Sequence, residues 1–109
     1  MNNKLQFNTA SKQFASILNN VFCSEGIDNK MNNDIKFEWF IYHCFQKHYI
    51  KDWGDIDKDT YLDNRKIMKK KEGDLFSAYY YDKNIWVIIF TEFETCRTWI
   101  CLSEEFESP

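Results

Sequence analysis

Three strand-like segments near the end of the chain restrict the folds that are open to it. Residues 75–81, 85–91 and 96–102 are rich in β-branched and aromatic residues, and short polar turns separate them. The middle segment contains the run Trp86–Phe90, which is apolar at every position. A strand that is apolar on both faces is typical of the centre of a covered sheet. The pattern predicts a three-stranded antiparallel meander with residues 85–91 in its middle.

Helical periodicity precedes these strands. Apolar residues recur at spacings of three and four between Thr9 and Phe22 and again between about Asp34 and Tyr49, which predicts two amphipathic helices. The intervening residues 28–34 are polar and predict a loop. A third, more polar helix is predicted from about Asp59 to Lys71, and Gly73 is a candidate for its C-terminal cap.

In the second helix, aromatic residues extend the apolar stripe beyond one face. Trp39, Tyr42 and Tyr49 lie outside the stripe that Phe37 begins, so we expect this helix to be buried on more than one side. At the other end of the chain, residues 104–109 predict a polar tail.

Helices followed by strands favour an α+β fold over an alternating α/β fold. We predict two or three N-terminal helices packed on a three-stranded antiparallel β-meander. The 109 residues form one domain, 1–109, with helices in about 9–71 and the meander in about 75–102. No apolar run approaches the ~18 residues that a membrane span requires, and the first residues lack the apolar core of a secretion signal. We therefore expect a cytoplasmic protein.

The residues that could bind metal or catalyse a reaction form no complete motif. Cys23, Cys44, Cys96 and Cys101 predict reduced thiols, and Cys44 with His48 makes only half of a metal site. The series Asp55, Asp57 and Asp59 lacks the glycine and the closing glutamate of a calcium loop, and predicts helix capping by Asp57 or Asp59 instead. We therefore predict no bound metal or cofactor.

Nucleophilic catalysis has equally little support. Ser77 has no Gly-x-Ser-x-Gly context, and His48 suits either a structural role or a pair with Asp52. We predict that the chain is not an enzyme. The remaining alternative is a metal-dependent enzyme that uses Asp52, Asp55, Asp57 and His48.

Charge is unevenly distributed along the chain, whose net charge is −3. Residues 72–109 carry eight acidic and two basic residues. This acidic half suits contact with a basic groove, or else a solvated sheet edge that resists aggregation. The candidate partner contacts are Asp82, Glu92, Glu94, Glu104 and Glu105. A basic cluster at the end of the third helix suits either phosphate contact or a favourable interaction with the helix dipole, and consists of Arg65, Lys66, Lys69, Lys70 and Lys71.

Several short motifs appear in a fixed order between residues 48 and 106. They are His48-Tyr49-Ile50-Lys51-Asp52-Trp53-Gly54-Asp55, then Asp59 and Asn64, Phe76-Ser77-Ala78-Tyr79, Trp86-Val87-Ile88 with Thr91-Glu92, and Leu102-Ser103-Glu104-Glu105-Phe106. This order resembles a family of small proteins of plasmids and phages, the plasmid-related proteins. Their pattern is His-x-x-Gly-Asp-Trp-Gly, Ser-x-Tyr, Trp-Ile-Ile-Thr-Glu and Pro-Glu-Glu-Tyr. The resemblance is that of a diverged member, with Asp74 and Thr95 where the family has arginines, Phe90 as an insertion and Ser103 in place of proline.

The resemblance implies a mobile-element protein that acts inside a bacterial host cell. Together with the acidic half, it leads us to expect an inhibitor of a host defence complex, of the anti-CRISPR or anti-restriction kind. Such an inhibitor binds the complex and occludes a nucleic-acid-binding surface. The alternative is a nucleic-acid-binding accessory protein that uses the basic cluster, although the acidic balance disfavours direct nucleic-acid binding.

Two further expectations concern contacts of the surface. Trp53 either packs on the sheet, with Gly54 allowing a close approach, or is an exposed anchor for a partner. An exposed edge strand at Cys96–Leu102 would allow a homodimer.

Overall fold

A five-stranded mixed sheet lies at the centre of the computed structural model, which describes residues 7–9 and 20–107. The strands are β1 (Phe7–Thr9), β2 (Val21–Ser24), β3 (Asp74–Asp82), β4 (Ile85–Glu92) and β5 (Arg97–Leu102). Their order is β1-β2-β5-β4-β3. The antiparallel meander of β3, β4 and β5 is present as predicted, and the α+β class is confirmed.

The sheet extends beyond the meander on the side of β5. β2 pairs with β5 in parallel, with Val21 opposite Thr98, and β1 pairs with β2 in the antiparallel sense. β5 is therefore an internal strand, and the expected exposed edge at Cys96–Leu102 is wrong. Without that edge, the reason for expecting a homodimer disappears.

The first predicted helix, Thr9–Phe22, is only partly open to comparison. Residues 10–19 lie outside the described residues. Thr9 belongs to β1, and Val21 and Phe22 belong to β2, so the two ends of the predicted helix are strands. The apolar pair at residues 21 and 22 fits a helical period, but pairing with β5 determines its conformation.

Four helices are described, and the first of them occupies most of the segment predicted as a loop. α1 (Glu25–Asn33) has Ser24 as its N-cap, whose hydroxyl accepts a hydrogen bond from the Ile27 amide at 3.2 Å. Ile27 and Met31 lie four residues apart on its buried face. The loop prediction is wrong because the polar residues of this segment lie on the solvent side of a helix whose apolar residues are few but correctly spaced.

The next two helices agree with the predictions. α2 (Ile35–Tyr49) has Asp34 as its N-cap, and α3 (Lys58–Lys70) has Asp57. The C-terminal cap of α3 is Lys71, which adopts the left-handed conformation, and not Gly73 as expected. No helix among the described residues has the length and apolar character needed to cross a membrane.

Only one face of α2 is buried. Trp39 is 62% exposed and Tyr49 is 72% exposed, so the expectation of burial on several sides is wrong. Two residues along a helix turn by about 200°, which directs Trp39 away from the face that contains Phe37. The buried face contains Phe37, Ile41, Cys44, Phe45 and His48 and lies against the sheet.

Aromatic side chains occupy the other face of the sheet. Phe76, Phe90, Trp99 and Phe22 are neighbours in register across four strands. The rings of Phe22 and Trp99 stack with centroids 4.9 Å apart. A short helix, α4 (Ser103–Glu107), stands where a polar tail was expected, and its Phe106 packs on Phe76 and Phe90. We call Phe22, Phe76, Phe90 and Trp99 the aromatic row.

Candidate functional site

The motif Asp52-Trp53-Gly54-Asp55 lies along the outer edge of β3. The Ala78 amide donates to the Trp53 carbonyl at 3.2 Å, and the Asp55 amide donates to the Ala78 carbonyl at 2.7 Å. The Asp55 carboxylate accepts a hydrogen bond from the Tyr80 amide at 3.1 Å. An uncovered edge strand would present these groups to other chains, so the motif protects the sheet.

Asn64 on α3 also covers the outer edge of β3, at one further residue, Phe76. Its side-chain amide donates to the Phe76 carbonyl at 2.8 Å, and its side-chain oxygen accepts from the Phe76 amide at 3.1 Å. The Tyr79 hydroxyl donates to the Asp52 carbonyl at 2.7 Å and fixes the start of the motif. Trp53 is 6% exposed and packs against Tyr61, so it has the structural position and is not a surface anchor.

His48 lies at the centre of a buried chain of hydroxyl groups. Its Nδ1 is 2.5 Å from the Ser77 hydroxyl, and its Nε2 is 2.8 Å from the Thr91 hydroxyl. The Thr91 hydroxyl is in turn 2.8 Å from that of Thr98. The side chains come from α2, β3, β4 and β5, so only the assembled fold brings them together.

Burial keeps the imidazole neutral. His48 is 5% exposed, and desolvation lowers its pKa from 6.5 to about 4. No carboxylate accepts a hydrogen bond from the ring; both nitrogens face hydroxyl groups. A neutral imidazole carries one N–H, so one ring nitrogen donates and the other accepts. The chain of hydroxyls can therefore run in either of two directions, and Thr98 stands at its end.

A cavity of about 580 Å³ opens beside this hydroxyl chain. His48, Thr91 and Thr98 form its polar wall. Most of the other described lining residues are apolar: Val21, Phe45, Tyr49, Met68, Leu75, Phe93 and Cys96. Asn20 and Lys51 complete the described lining. A largely apolar cavity with a few convergent polar groups is the usual form of a small-molecule site.

The predicted partner contacts fall into separate places. Glu92 and Glu94 lie at the end of the β3–β4 pair, where β3 begins with Asp74 opposite Glu92. Desolvation, followed by the charges of Glu92 and Glu94, raises the pKa of Asp74. These three carboxylates, which we call the acidic cluster, therefore lie close together.

Asp82 lies at the opposite end of the same hairpin. Ile85, opposite Asp82, is seven residues before Glu92, which corresponds to roughly 23 Å along a strand. Desolvation, followed by the charges of Asp34 and Asp82, raises the pKa of Tyr81. Asp82 therefore belongs to a different part of the surface from the acidic cluster.

Glu105 differs from its neighbour Glu104 because it has internal partners. Its carboxylate accepts hydrogen bonds from the Ser24 hydroxyl at 2.5 Å, the Gly26 amide at 3.0 Å and the Leu102 amide at 2.9 Å. The first two donors lie at the N-terminus of α1, where a negative charge is favourable. Glu105 thus joins α4 to α1, while Glu104 is exposed.

We expect Glu105→Gln to lower the free energy of unfolding by about 1–2 kcal/mol, because the charge-assisted hydrogen bonds at α1 are lost. Glu104→Gln should change it by less than about 0.5 kcal/mol, as an exposed substitution. Urea denaturation of the two variants beside the wild type tests this. Equal midpoints for the two variants would contradict the assignment.

The basic cluster of α3 is exposed and lies next to acidic residues. Lys66 and Lys70 share an open groove with Asp63, Glu72 and Glu94. The remaining members, Arg65, Lys69 and Lys71, are also exposed. The two charged surfaces that the sequence suggested as alternatives therefore meet at this groove.

The residues suggested for a metal-dependent enzyme do not converge. The Asp57 carboxylate caps α3 by accepting from the Thr60 amide at 2.7 Å, and Asp55 bonds to the edge of β3. Both nitrogens of His48 face hydroxyl groups. Within residues 7–9 and 20–107, no group of three or more His, Cys, Asp or Glu side chains is arranged to hold a metal ion.

The cysteines are free thiols. Cys23, Cys44 and Cys101 are buried, and burial raises the pKa of each to about 12. Cys96 is exposed and lies in the turn before β5, not in the strand where it was predicted. The three buried thiols behave as small apolar side chains.

Sequence reasoning did not find the hydroxyl partners of His48. Thr91 and Ser77 appear in the ordered motifs, but nothing in the spacing of those motifs indicates that their hydroxyl groups contact His48. Thr98 belongs to no motif.

Comparisons of the chain with known protein families, curated proteins and solved structures found no match. The resemblance to the plasmid-related proteins stays a prediction.

Proposed function

We propose that this chain is a mobile-element protein that inhibits a bacterial defence complex by binding its nucleic-acid-binding surface. The defence complex is of the CRISPR or restriction type, and the inhibitor acts in the cytoplasm of the host. The observation that carries the proposal is the acidic cluster of Asp74, Glu92 and Glu94. These carboxylates are near enough to each other for two of them to raise the pKa of the third.

Repulsion of the Asp74 carboxylate by Glu92 and Glu94 makes the acidic cluster suited to a cationic partner. In the free protein desolvation, followed by the charges of Glu92 and Glu94, disfavours the charged form of Asp74. A basic groove that normally holds phosphates would relieve that repulsion and would also accelerate association by electrostatic steering. The protein then occupies the groove in place of nucleic acid.

The aromatic row gives the same surface an apolar part. Alternate strand residues share a face, so Asp74 lies on the side of Phe76, and Glu92 lies on the side of Phe90. On this face Phe90, which is partly exposed, has Glu92 as its neighbour along β4, and Trp99, also partly exposed, has Arg97 as its neighbour along β5. Interfaces commonly combine an aromatic centre with a charged rim. Glu105 and Trp53 are left out of this proposed surface because both are engaged inside the fold.

Direct nucleic-acid binding by the basic cluster is the second candidate. All five of its side chains are exposed, which favours phosphate contact. However, Asp63, Glu72 and Glu94 line the same groove as Lys66 and Lys70 and would repel phosphates. We therefore rank this function below the inhibitor.

The test is competition between the chain and nucleic acid for purified CRISPR and restriction complexes. We expect the wild type to displace labelled nucleic acid from a target complex, and the double variant Glu92→Lys, Glu94→Lys to lose this effect. The control is Lys66→Glu, Lys70→Glu, which changes the net charge by the same magnitude in the opposite sense in the same groove as Glu94 and should still compete. If no complex releases its nucleic acid, and the chain itself binds nucleic acid in a salt-sensitive manner, the second candidate replaces the first.

A further inference from the structure

The cavity beside His48 has an unused hydrogen-bonding group in its wall. The His48 ring has a hydroxyl partner on each nitrogen, and Thr91 bridges His48 and Thr98. Thr98 is the last member of this chain and lines the cavity. A hydroxyl group offers one donor and two acceptor positions, so Thr98 retains capacity for a further partner.

The direction of the hydroxyl chain sets what Thr98 offers. When Ser77 donates to Nδ1, the proton of His48 is on Nε2 and is donated to Thr91. Thr91 then donates to Thr98, and the Thr98 O–H remains for an acceptor in the cavity. In the opposite direction Thr98 donates to Thr91 and offers only its lone pairs. A ligand in the cavity therefore selects one tautomer of His48 according to whether it accepts or donates.

The charge of the cavity wall selects between the two directions. Lys51 is the only charged residue among the described lining residues, and none of them is acidic. A positive wall favours an anion, and an anion accepts hydrogen bonds. The rest of the described lining is mostly apolar, with Phe45, Met68 and Leu75 among its members.

We propose that this cavity binds a small apolar carboxylate, whose acid group accepts the Thr98 O–H and is attracted by Lys51, and whose apolar body packs against Phe45, Met68 and Leu75. The volume of about 580 Å³ lies within the range of about 300–1,000 Å³ that is usual for such sites. No residue of the acidic cluster is among its described lining residues.

The probes are three molecules with the same eight-carbon chain: octanoate, octan-1-ol and octylammonium. We expect octanoate to bind one-to-one in isothermal titration calorimetry, at least about tenfold more tightly than the alcohol, with the ammonium weaker still. Bound octanoate should also shift the ring nitrogen NMR signals of His48 towards the Nε2–H tautomer. A purely structural cavity would not produce this change.

Two variants separate the ligand's contacts from folding. Thr98→Val removes the terminal hydroxyl at similar volume, and Lys51→Gln removes the exposed charge. Each should weaken octanoate binding by about tenfold and octan-1-ol binding by a smaller factor, because the neutral hydroxyl of the alcohol makes a weaker hydrogen bond than a carboxylate and has no charge for Lys51 to attract. Lys47→Gln, an exposed change on α2 outside the described lining, is the control and should bind octanoate like the wild type. Equal affinity for octanoate and octan-1-ol, wild-type affinity in both variants, or no saturable binding up to about 1 mM octanoate would each overturn the proposal.

Discussion

We expect the free energy of unfolding to fall by on the order of 3 kcal/mol as the pH is lowered from 6.5 to about 4, through His48 alone. The pKa of this histidine is lowered from 6.5 to about 4 in the folded state, and desolvation by burial is the cause. Between these two values the unfolded chain binds a proton that the folded chain does not, so stability decreases with falling pH. Below about 4 both states are protonated and the loss from this group levels off.

Urea denaturation at half-unit pH intervals measures this dependence, and the two histidines of the chain provide the comparison. His48→Gln should be less stable than the wild type at pH 7, because it disturbs the hydroxyl chain, and should lose stability far less steeply between pH 6.5 and 4.5. His43→Gln, on the exposed side of the same helix, should keep the wild-type slope. Carboxylates contribute to the acid transition in all three proteins, so the difference in slope is the diagnostic quantity. Identical slopes for wild type and His48→Gln would contradict the neutral buried imidazole.

Elements whose conformation is determined by their own residues could be predicted from the sequence. β4 is apolar at nearly every position, and a strand with such a run needs cover on both faces. β3 and β4 are joined by Lys83 and Asn84, both with positive φ, which suits a tight hairpin. α2 and α3 each begin at an aspartate that caps the first turn. In these elements the local preference and the tertiary fold agree.

The elements that depend on a distant partner were not predictable. β2 is a strand because Val21, Phe22 and Cys23 pair with β5, more than seventy residues later in the chain. The five-stranded order therefore has no local signal. α1 depends on the burial of only two residues and on caps at each end, one of which involves Glu105 from the other end of the chain.

The surroundings of His48 were likewise predictable only in part. A structural role for His48 could be predicted because it lies on the buried stripe of α2, but its partners could not. Ser77 is 29 residues away and Thr91 is 43 residues away. The cavity has no sequence signature, because its described lining comes from six elements and the turns between them. By contrast, Trp53-Gly54 carried enough information for the close approach of the motif to the sheet to be anticipated.

That close approach makes Gly54 the most sensitive backbone position of the motif. Gly54 has φ +77°, and it bridges to Ala78 of β3. A Cβ at this position would overlap the Ala78 carbonyl oxygen and lie 2.5 Å from the Tyr79 ring. Neither neighbour can move freely. The Ala78 carbonyl accepts from the Asp55 amide, and the Tyr79 hydroxyl is held by the Asp52 carbonyl.

We therefore expect Gly54→Ala to lower the free energy of unfolding by about 3–5 kcal/mol, from about 1–2 kcal/mol for the left-handed backbone and the remainder from steric overlap. Gly73→Ala is the matched control. It also has positive φ, +104°, but its Cβ would lie 3.2 Å from the flexible Ile67 side chain. The control should lose only the backbone contribution.

Urea denaturation gives the two values, and hydrogen exchange at the Ala78 and Tyr80 amides reports whether the edge of β3 has opened. Faster exchange there in Gly54→Ala, but not in Gly73→Ala, is expected because the motif is what covers these amides. Equal losses of stability in the two variants would mean that backbone conformation alone requires glycine at position 54, and that the motif does not lie against β3 as closely as described.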